Sequence, residues 1–231
     1  MSPPRAAFGV TPQGGDASQL AKPDRRHPRL EHLHASADAL ALDIAARLRA
    51  VSGEALLRVS GGRSPVALFH RLREQPLDWS RLAVQLVDER LLPDGHAERN
   101  ETLLREHLLP SDARLLPLDN EHAARTADVT VLGMGEDGHT ASLFPDAPGV
   151  ADALRADATP ATVRLMPTSA PHERLSLNLA ALLLSRHTVL SIAGPGKWAV
   201  YQRARTRPDP ALPISLVLHH ATTPVAVWHA D

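Results

Sequence analysis

The segment Asp128–Pro145 reads DVTVLGMGEDGHTASLFP. Its first five residues are an apolar, strand-like run that feeds a loop containing Gly133, Gly135 and Gly138. Glycine tolerates φ > 0 without a Cβ clash, so the backbone there can turn tightly and approach a ligand. The loop delivers Asp137 and His139 together, and Pro145 closes it. Open α/β sheets bind ligands beyond the carboxyl ends of their strands. Ionisable groups at such a position read as an active-site loop rather than a structural turn.

Working outward, the neighbouring segments alternate between strand and helix patterns. Ala35 to Val51 reads as a helix capped by Ser36, with Leu40, Ile44, Leu48 and Val51 on one face. Ala55–Val59 is a short buried strand, followed by the turn SGGRSP and a helix from Pro65 to Arg73. Leu82–Val87 is the next strand and ends at Asp88-Glu89-Arg90, and Arg99 to Leu109 is helical with Asn100 as a start signal. Beyond the glycine loop, the sequence predicts an apolar helix at Leu175–Leu184 and a strand at Thr188–Ala193. A loop GPGK and a helix from Trp198 to about Arg205 come next, and Pro213–Leu218 and Val225–Trp228 are further strand material. Such alternation implies an α/β fold with a mainly parallel sheet and helices on both faces.

Composition narrows the function classes. At 231 residues the chain suits one domain with a full core, expected over residues 29–231 after a flexible tail at 1–28 that lacks periodicity. A net charge of −1 and 3% aromatic residues offer neither an electrostatic nor a stacking argument for nucleic acid. The absence of cysteine excludes disulfides and thiolate chemistry. No apolar run approaches the roughly 18–20 residues that cross a bilayer, and the first twenty residues lack a secretory h-region. A soluble, cytoplasmic protein without membrane or nucleic-acid partners is expected, its oligomeric state open and compatible with a monomer.

Four polar loops follow strands or open helices. Ser60-Gly61-Gly62-Arg63-Ser64-Pro65 joins a strand to a helix. Exposed amides at a helix N-terminus can cradle a phosphate, although a plain strand–helix turn would also use glycine. Asp88 and Arg90 stand at alternate positions and can face one side, either in a site or as a surface ion pair. In the opening loop, a neutral imidazole at His139 can take a proton, with Asp137 fixing its tautomer, and the competing reading is an ordinary Asp-Gly turn. Lys197, in Gly194-Pro195-Gly196-Lys197, can meet a ligand anion or merely cap a helix, and Arg174 is a similar candidate. Loops of this kind would converge on one edge of a parallel sheet. The remaining histidines, including His32, His34, His219 and His220, lack companions at metal-ligand spacing, so no metal site is expected. No serine lies in a GxSxG context.

The order of SGGRSP (60–65), VDERLLP (87–93), RNETLLREHLL (99–109), LGMGEDGHTASLFP (132–145), PHERLSLNLAAL (171–182) and GPGKW (194–198) resembles the 6-phosphogluconolactonases over roughly residues 30 to 229. The resemblance implies a Rossmann-like fold of the glucosamine-6-phosphate deaminase/ribose-5-phosphate isomerase type. It also implies hydrolysis of 6-phospho-D-glucono-1,5-lactone without an obligatory cofactor. Deaminases of this group share the SGG loop and a GxGxDGH stretch, but continue with an IAFNEP-like sequence that supplies a glutamate. Here Thr140-Ala141-Ser142-Leu143-Phe144-Pro145 follows, with no acid before Asp146, and Arg90 stands where deaminases tend to carry tyrosine. An amino-sugar phosphate deaminase and a non-catalytic sugar-phosphate sensor are the competing readings.

Carried onto this sequence, the resemblance makes His139 the general base on water, oriented by Asp137. Arg90 stabilises charge on the substrate or the oxyanion, and Asp88 positions Arg90 or sugar hydroxyls. The phosphate is expected at Ser60, Gly61 and Gly62, with Arg63, Arg174 or Lys197 assisting. Three departures stand out. Ser64 replaces a usual threonine and Arg99 a frequent serine. Leu118 to Asp128 is short, which implies a lost peripheral helix or a different cover on one sheet face.

Overall fold

A computed structural model of the chain describes residues 30–34, 36–111 and 113–230. The tail expected at 1–28 lies outside the described residues. In chain order the first half contains β1 Leu30–His34, α1 Ala37–Arg49, β2 Ala55–Val59, α2 Val66–Arg73, β3 Leu82–Leu86, β4 Asp88–Arg90, α3 Asn100–His107, β5 Arg114–Leu115 and α4 Asn120–Ala123. The second half contains β6 Val129–Leu132, α5 Val150–Ala153, β7 Thr162–Leu165, β8 Arg174–Leu177, α6 Leu179–Leu182, β9 Thr188–Ala193, α7 Pro195–Ala204, α8 Pro213–His220 and β10 Val225–Ala230.

Seven strands form one sheet in the order β1-β10-β9-β6-β2-β3-β5, and every pairing in it is parallel. Alternation along each strand sends side chains to two separate cores. On β10, Ala226 and Trp228 pack with Leu40, Ile44, Phe69 and Leu104 of α1, α2 and α3. Val225 and Val227 face Leu179, Tyr201 and Ile214 of α6, α7 and α8. Strands covered on both faces read as continuous apolar runs, which is why β2, β3 and β6 were legible. Ser36 caps α1 as expected, its hydroxyl accepting from the Ala39 amide at 3.1 Å.

The chain runs from β2 outward through β3 to β5, then returns to the other side of β2 with β6 and continues to β9 and β10. Strand order therefore reverses between β2 and β6. At such a switch point adjacent loops leave on opposite faces, and a crevice opens at the carboxyl ends. A second, antiparallel sheet, β4-β8-β7, roofs that end.

Two expected elements differ. Leu175–Leu184 is not one helix: Arg174–Leu177 is a strand paired with β4 and β7, and only Leu179–Leu182 is helical. Asn178 divides them by accepting from the Ala181 amide at 2.9 Å, a helix N-cap. Pro213–Leu218 belongs to a helix rather than a strand, with Pro213 in its first turn. Both segments are almost entirely buried, so apolar residues crowd both faces, the few polar ones (Ser176, Asn178, Ser215) are buried too, and periodicity carries no signal. The helix expected at Trp198 begins at Pro195.

The short stretch after Leu118 holds the single-turn α4. Its carbonyls at His122 and Ala123, with that of Arg125, accept from the fully buried Arg58 at 2.8–3.2 Å. The same guanidinium donates to the Ala181 carbonyl of α6 at 2.8 Å and to Gln85 Oε1 at 2.8 Å. One arginine thus satisfies orphan carbonyls at the ends of two short helices. Burial pulls its pKa down to about 10. Among the described residues, no helix is long and apolar enough to cross a membrane.

Candidate active site

At the switch point lies a cleft of about 380 Å³. Ser60, Gly61 and Gly62 come from the loop after β2, Asp88 and Arg90 from β4, and His139 from the loop after β6. Arg174 comes from β8 and Lys197 from α7. Four loops predicted from separate parts of the sequence meet in one crevice. Arg63 and Asp137 are the exceptions: both are exposed and neither is among the lining residues, and Asp137 joins the cleft only through its contact with His139.

His139 sits in a tightly determined turn. The Gly138 amide donates to the Gly135 carbonyl at 3.0 Å, and the Gly135 amide donates to the His139 carbonyl at 2.9 Å. Gly138 has φ 81°, and its carbonyl accepts from the Ile214 amide at the start of α8 at 2.9 Å. A Cβ at Gly138 would press on Leu212, so both the φ and the packing require glycine there. Asp137 Oδ1 accepts from the His139 amide at 3.1 Å and lies 2.6 Å from His139 Nδ1. A carboxylate partner assigns the proton to Nδ1 and leaves Nε2 as the nitrogen available to a substrate. Burial works to raise the Asp137 pKa, but the hydrogen bond and charge of His139 outweigh it, and the carboxyl lies below its ordinary value.

β4 divides its three side chains between two tasks. Asp88 and Arg90 line the cleft, whereas Glu89 points to α3. Glu89 Oε1 accepts from the Asn100 amide at 2.7 Å, and Oε2 accepts from the Glu101 amide at 2.8 Å. Glu89 therefore caps α3 from a distant strand and ties that helix to the site. Asp88 is buried, and Oδ2 accepts from the Ser142 hydroxyl at 2.6 Å. Burial raises its pKa against the opposing effects of Ser142, Arg90, Arg174 and His139.

The cations are set by the small sheet. Arg90 and Arg174 are cross-strand partners on β4 and β8. Arg90 donates to the Glu98 carbonyl, and Arg174 Nη2 donates to the Pro171 carbonyl at 2.9 Å. The Nε atoms of both are buried and unpartnered. Burial, with the neighbouring Arg90 charge, lowers the Arg174 pKa. Lys197 is the third residue of α7 and has no carboxylate partner among the described residues. A cation in the first helical turn opposes the macrodipole. Lys197 stands on the cleft wall.

The sequence passed over several lining residues. Asn100 was read only as a helix start, yet its Nδ2 donates to the Asp88 carbonyl at 2.9 Å and its buried Oδ1 has no partner. A Cβ on Gly61 would overlap the Asn100 side chain, so glycine there admits Asn100 to the cleft. Ser142 and Phe144 also line it. Their only signal was membership of the glycine–histidine segment.

A parallel α/β sheet with a histidine–carboxylate couple and inward-facing cations at its switch point defines an enzyme of small-molecule metabolism. The family model for glucosamine-6-phosphate isomerases/6-phosphogluconolactonase matches residues 31–127 and 113–228, and the chain belongs to that family. The 6-phosphogluconolactonase of Neisseria meningitidis is 39% identical over 199 residues, covering 78% of this chain and 86% of that protein. That of Pseudomonas aeruginosa is 44% identical over 187 residues, covering 71% and 79%. The solved structure of a 6-phosphogluconolactonase from Shewanella baltica superposes with a TM-score of 0.81 at 36% identity, covering 89% of this chain and 99% of that one. A monomeric glucosamine-6-phosphate deaminase superposes with a TM-score of 0.69 at 17% identity, covering 87% and 98%, and speaks for the fold alone.

Proposed function

We propose that this chain hydrolyses 6-phospho-D-glucono-1,5-lactone to 6-phosphogluconate, the second step of the oxidative pentose phosphate pathway. A single domain over residues 29–231 does so in the cytoplasm, without a cofactor. The observation that carries the reading is the shared cleft. His139, backed by Asp137, and the Ser60-Gly61-Gly62 loop face one space of about 380 Å³, within the range of small-molecule sites.

In the proposed reaction, water attacks the lactone carbonyl carbon while His139 Nε2 takes its proton. Arg90 faces the oxyanion of the tetrahedral adduct, and Asp88 holds Arg90 or a sugar hydroxyl. Collapse breaks the bond to the ring oxygen, which receives the proton back from the imidazolium. The acid formed then loses its own proton to solvent. The Gly61 and Gly62 backbone, Lys197 and Arg174 hold the phosphate. The segment Thr140–Pro145 has no carboxylate for deaminase chemistry.

Turnover of freshly generated 6-phosphogluconolactone, corrected for spontaneous hydrolysis, tests the proposal. His139→Ala is expected to lower kcat by about 10² or more. Absence of turnover by the unaltered chain would overturn the proposal in favour of a sensor. Ammonia release from glucosamine 6-phosphate would do so in favour of a deaminase.

A further inference from the structure

His139 must serve two positions in turn, the attacking water and then the departing ring oxygen. The Asp137 hydrogen bond fixes one ring nitrogen only. Rotation about the terminal bond of a histidine side chain is broad, so that bond alone does not fix the ring plane. Two further contacts do. A Cβ on Gly135 would run into Nδ1 and Cε1 of His139 and into Asp137 Oδ1, so the imidazole–carboxylate pair packs directly on the Gly135 backbone. The Phe144 ring stacks on the imidazole, with centroids 3.9 Å apart and planes 23° from parallel.

Phe144 is itself held by a built turn. The Leu143 amide donates to the Thr140 carbonyl at 3.0 Å, and Thr140 Oγ1 donates to the Gly133 carbonyl at 2.9 Å. Ala141 adopts φ 49°, a left-handed conformation that a residue with a Cβ takes only where its surroundings impose it. Ser142 anchors the turn through Asp88 and through the Ser176 hydroxyl, which accepts from its amide at 3.1 Å. Phe144 is 7% exposed, and its ring centroid lies 5.8 Å from the Arg174 guanidinium carbon.

We infer that Phe144 is a positioning residue for this reaction, stacking on His139 to hold the imidazole plane through both proton transfers. An aromatic face also attracts the imidazolium formed between them. The inference rests on the proposed role of His139 as proton acceptor. A plane held for chemistry and not for binding predicts damage to kcat and not to KM.

The test compares the full-length unaltered chain with Phe144→Leu, and with Phe144→Met should the leucine variant fail to fold by circular dichroism. Loss of the stack is expected to lower kcat about 10- to 100-fold while KM changes less than about 3-fold. Side-chain nitrogen NMR, with the His139 signals assigned by difference from His139→Asn, should show a single Nδ1–H tautomer in the unaltered chain and averaged signals in the variant. Overturning results are an unchanged kcat, a rise in KM alone, or a loss of kcat with the His139 nitrogen signals unmoved. His139→Asn in the same assay separates the two readings. If it is inactive and Phe144→Leu is normal, only the positioning role fails; if it is active, the proton-acceptor reading fails and the positioning role with it.

Discussion

Replacing Asp137 with asparagine separates two things its carboxylate does for His139. The His139 amide needs an acceptor where Oδ1 now lies, at 3.1 Å, so the asparagine oxygen should occupy that place. From there it can still accept the proton on Nδ1, and the tautomer survives while the negative charge is lost. Unit charges about 4 Å apart attract by about 1 kcal/mol in water and about 4 kcal/mol at the effective dielectric near a protein surface. Asp137 is 39% exposed, so a value near 2 kcal/mol applies to the imidazolium it faces. At about 1.4 kcal/mol per decade, kcat should fall roughly 30-fold. Asp137→Ala removes the acceptor as well and frees the ring to take the wrong tautomer, so its loss should reach about 10³-fold. Initial rates on fresh lactone, after subtraction of the spontaneous reaction, give both values. An asparagine variant within about twofold of the unaltered enzyme would refute the charge argument, and an alanine variant no worse than asparagine would refute the tautomer argument.

Lys197→Ala should raise KM about tenfold with kcat little changed, since phosphate is bound alike in ground and transition states; steady-state kinetics showing an unaltered KM would return Lys197 to a capping role. Arg58→Lys keeps a charge but loses the planar fork that reaches two helix ends and Gln85, and should cost about 2–4 kcal/mol in urea unfolding. A loss below about 1 kcal/mol would show those carbonyls finding other donors. Asp88→Asn should stabilise the fold at neutral pH while reducing turnover. Burial raises the Asp88 pKa, so the folded state holds its proton to higher pH than the unfolded chain does, and stability falls as pH rises through that interval. The thermal midpoint of Asp88→Asn should therefore exceed the unaltered one at pH 7, by a margin that shrinks on acidification toward about pH 4, the unfolded carboxylate value; a constant margin would remove Asp88 titration as the cause.

What the sequence disclosed and what it concealed follow from how local each signal is. β2, β3, β6 and β9 were legible because each is a short apolar run that ends in glycine or charge, and such endings also marked Ser60–Gly62, Asp88, His139 and Lys197. Arg58 could be read as an arginine inside a buried strand, but its partners lie 27 to 126 residues away, so nothing near it announces a cross-link. Arg174 shows the same limit at the site itself. As the residue just before an expected apolar helix it had no defined direction; as the β-partner of Arg90 it is fixed in the cleft by a pairing across 84 positions of chain. Phe144 was hidden for a different reason. It is only five residues from His139, yet the stack depends on the left-handed Ala141 turn, whose conformation no propensity favours. The chemistry was thus visible as residue types at strand ends, while the aiming of that chemistry belongs to a roof of three short strands and one strained turn. Substitution of His139 should remove the base itself, whereas substitutions of Glu89, Ala141 or Ser176 should leave a folded enzyme with its base and cations present but misdirected.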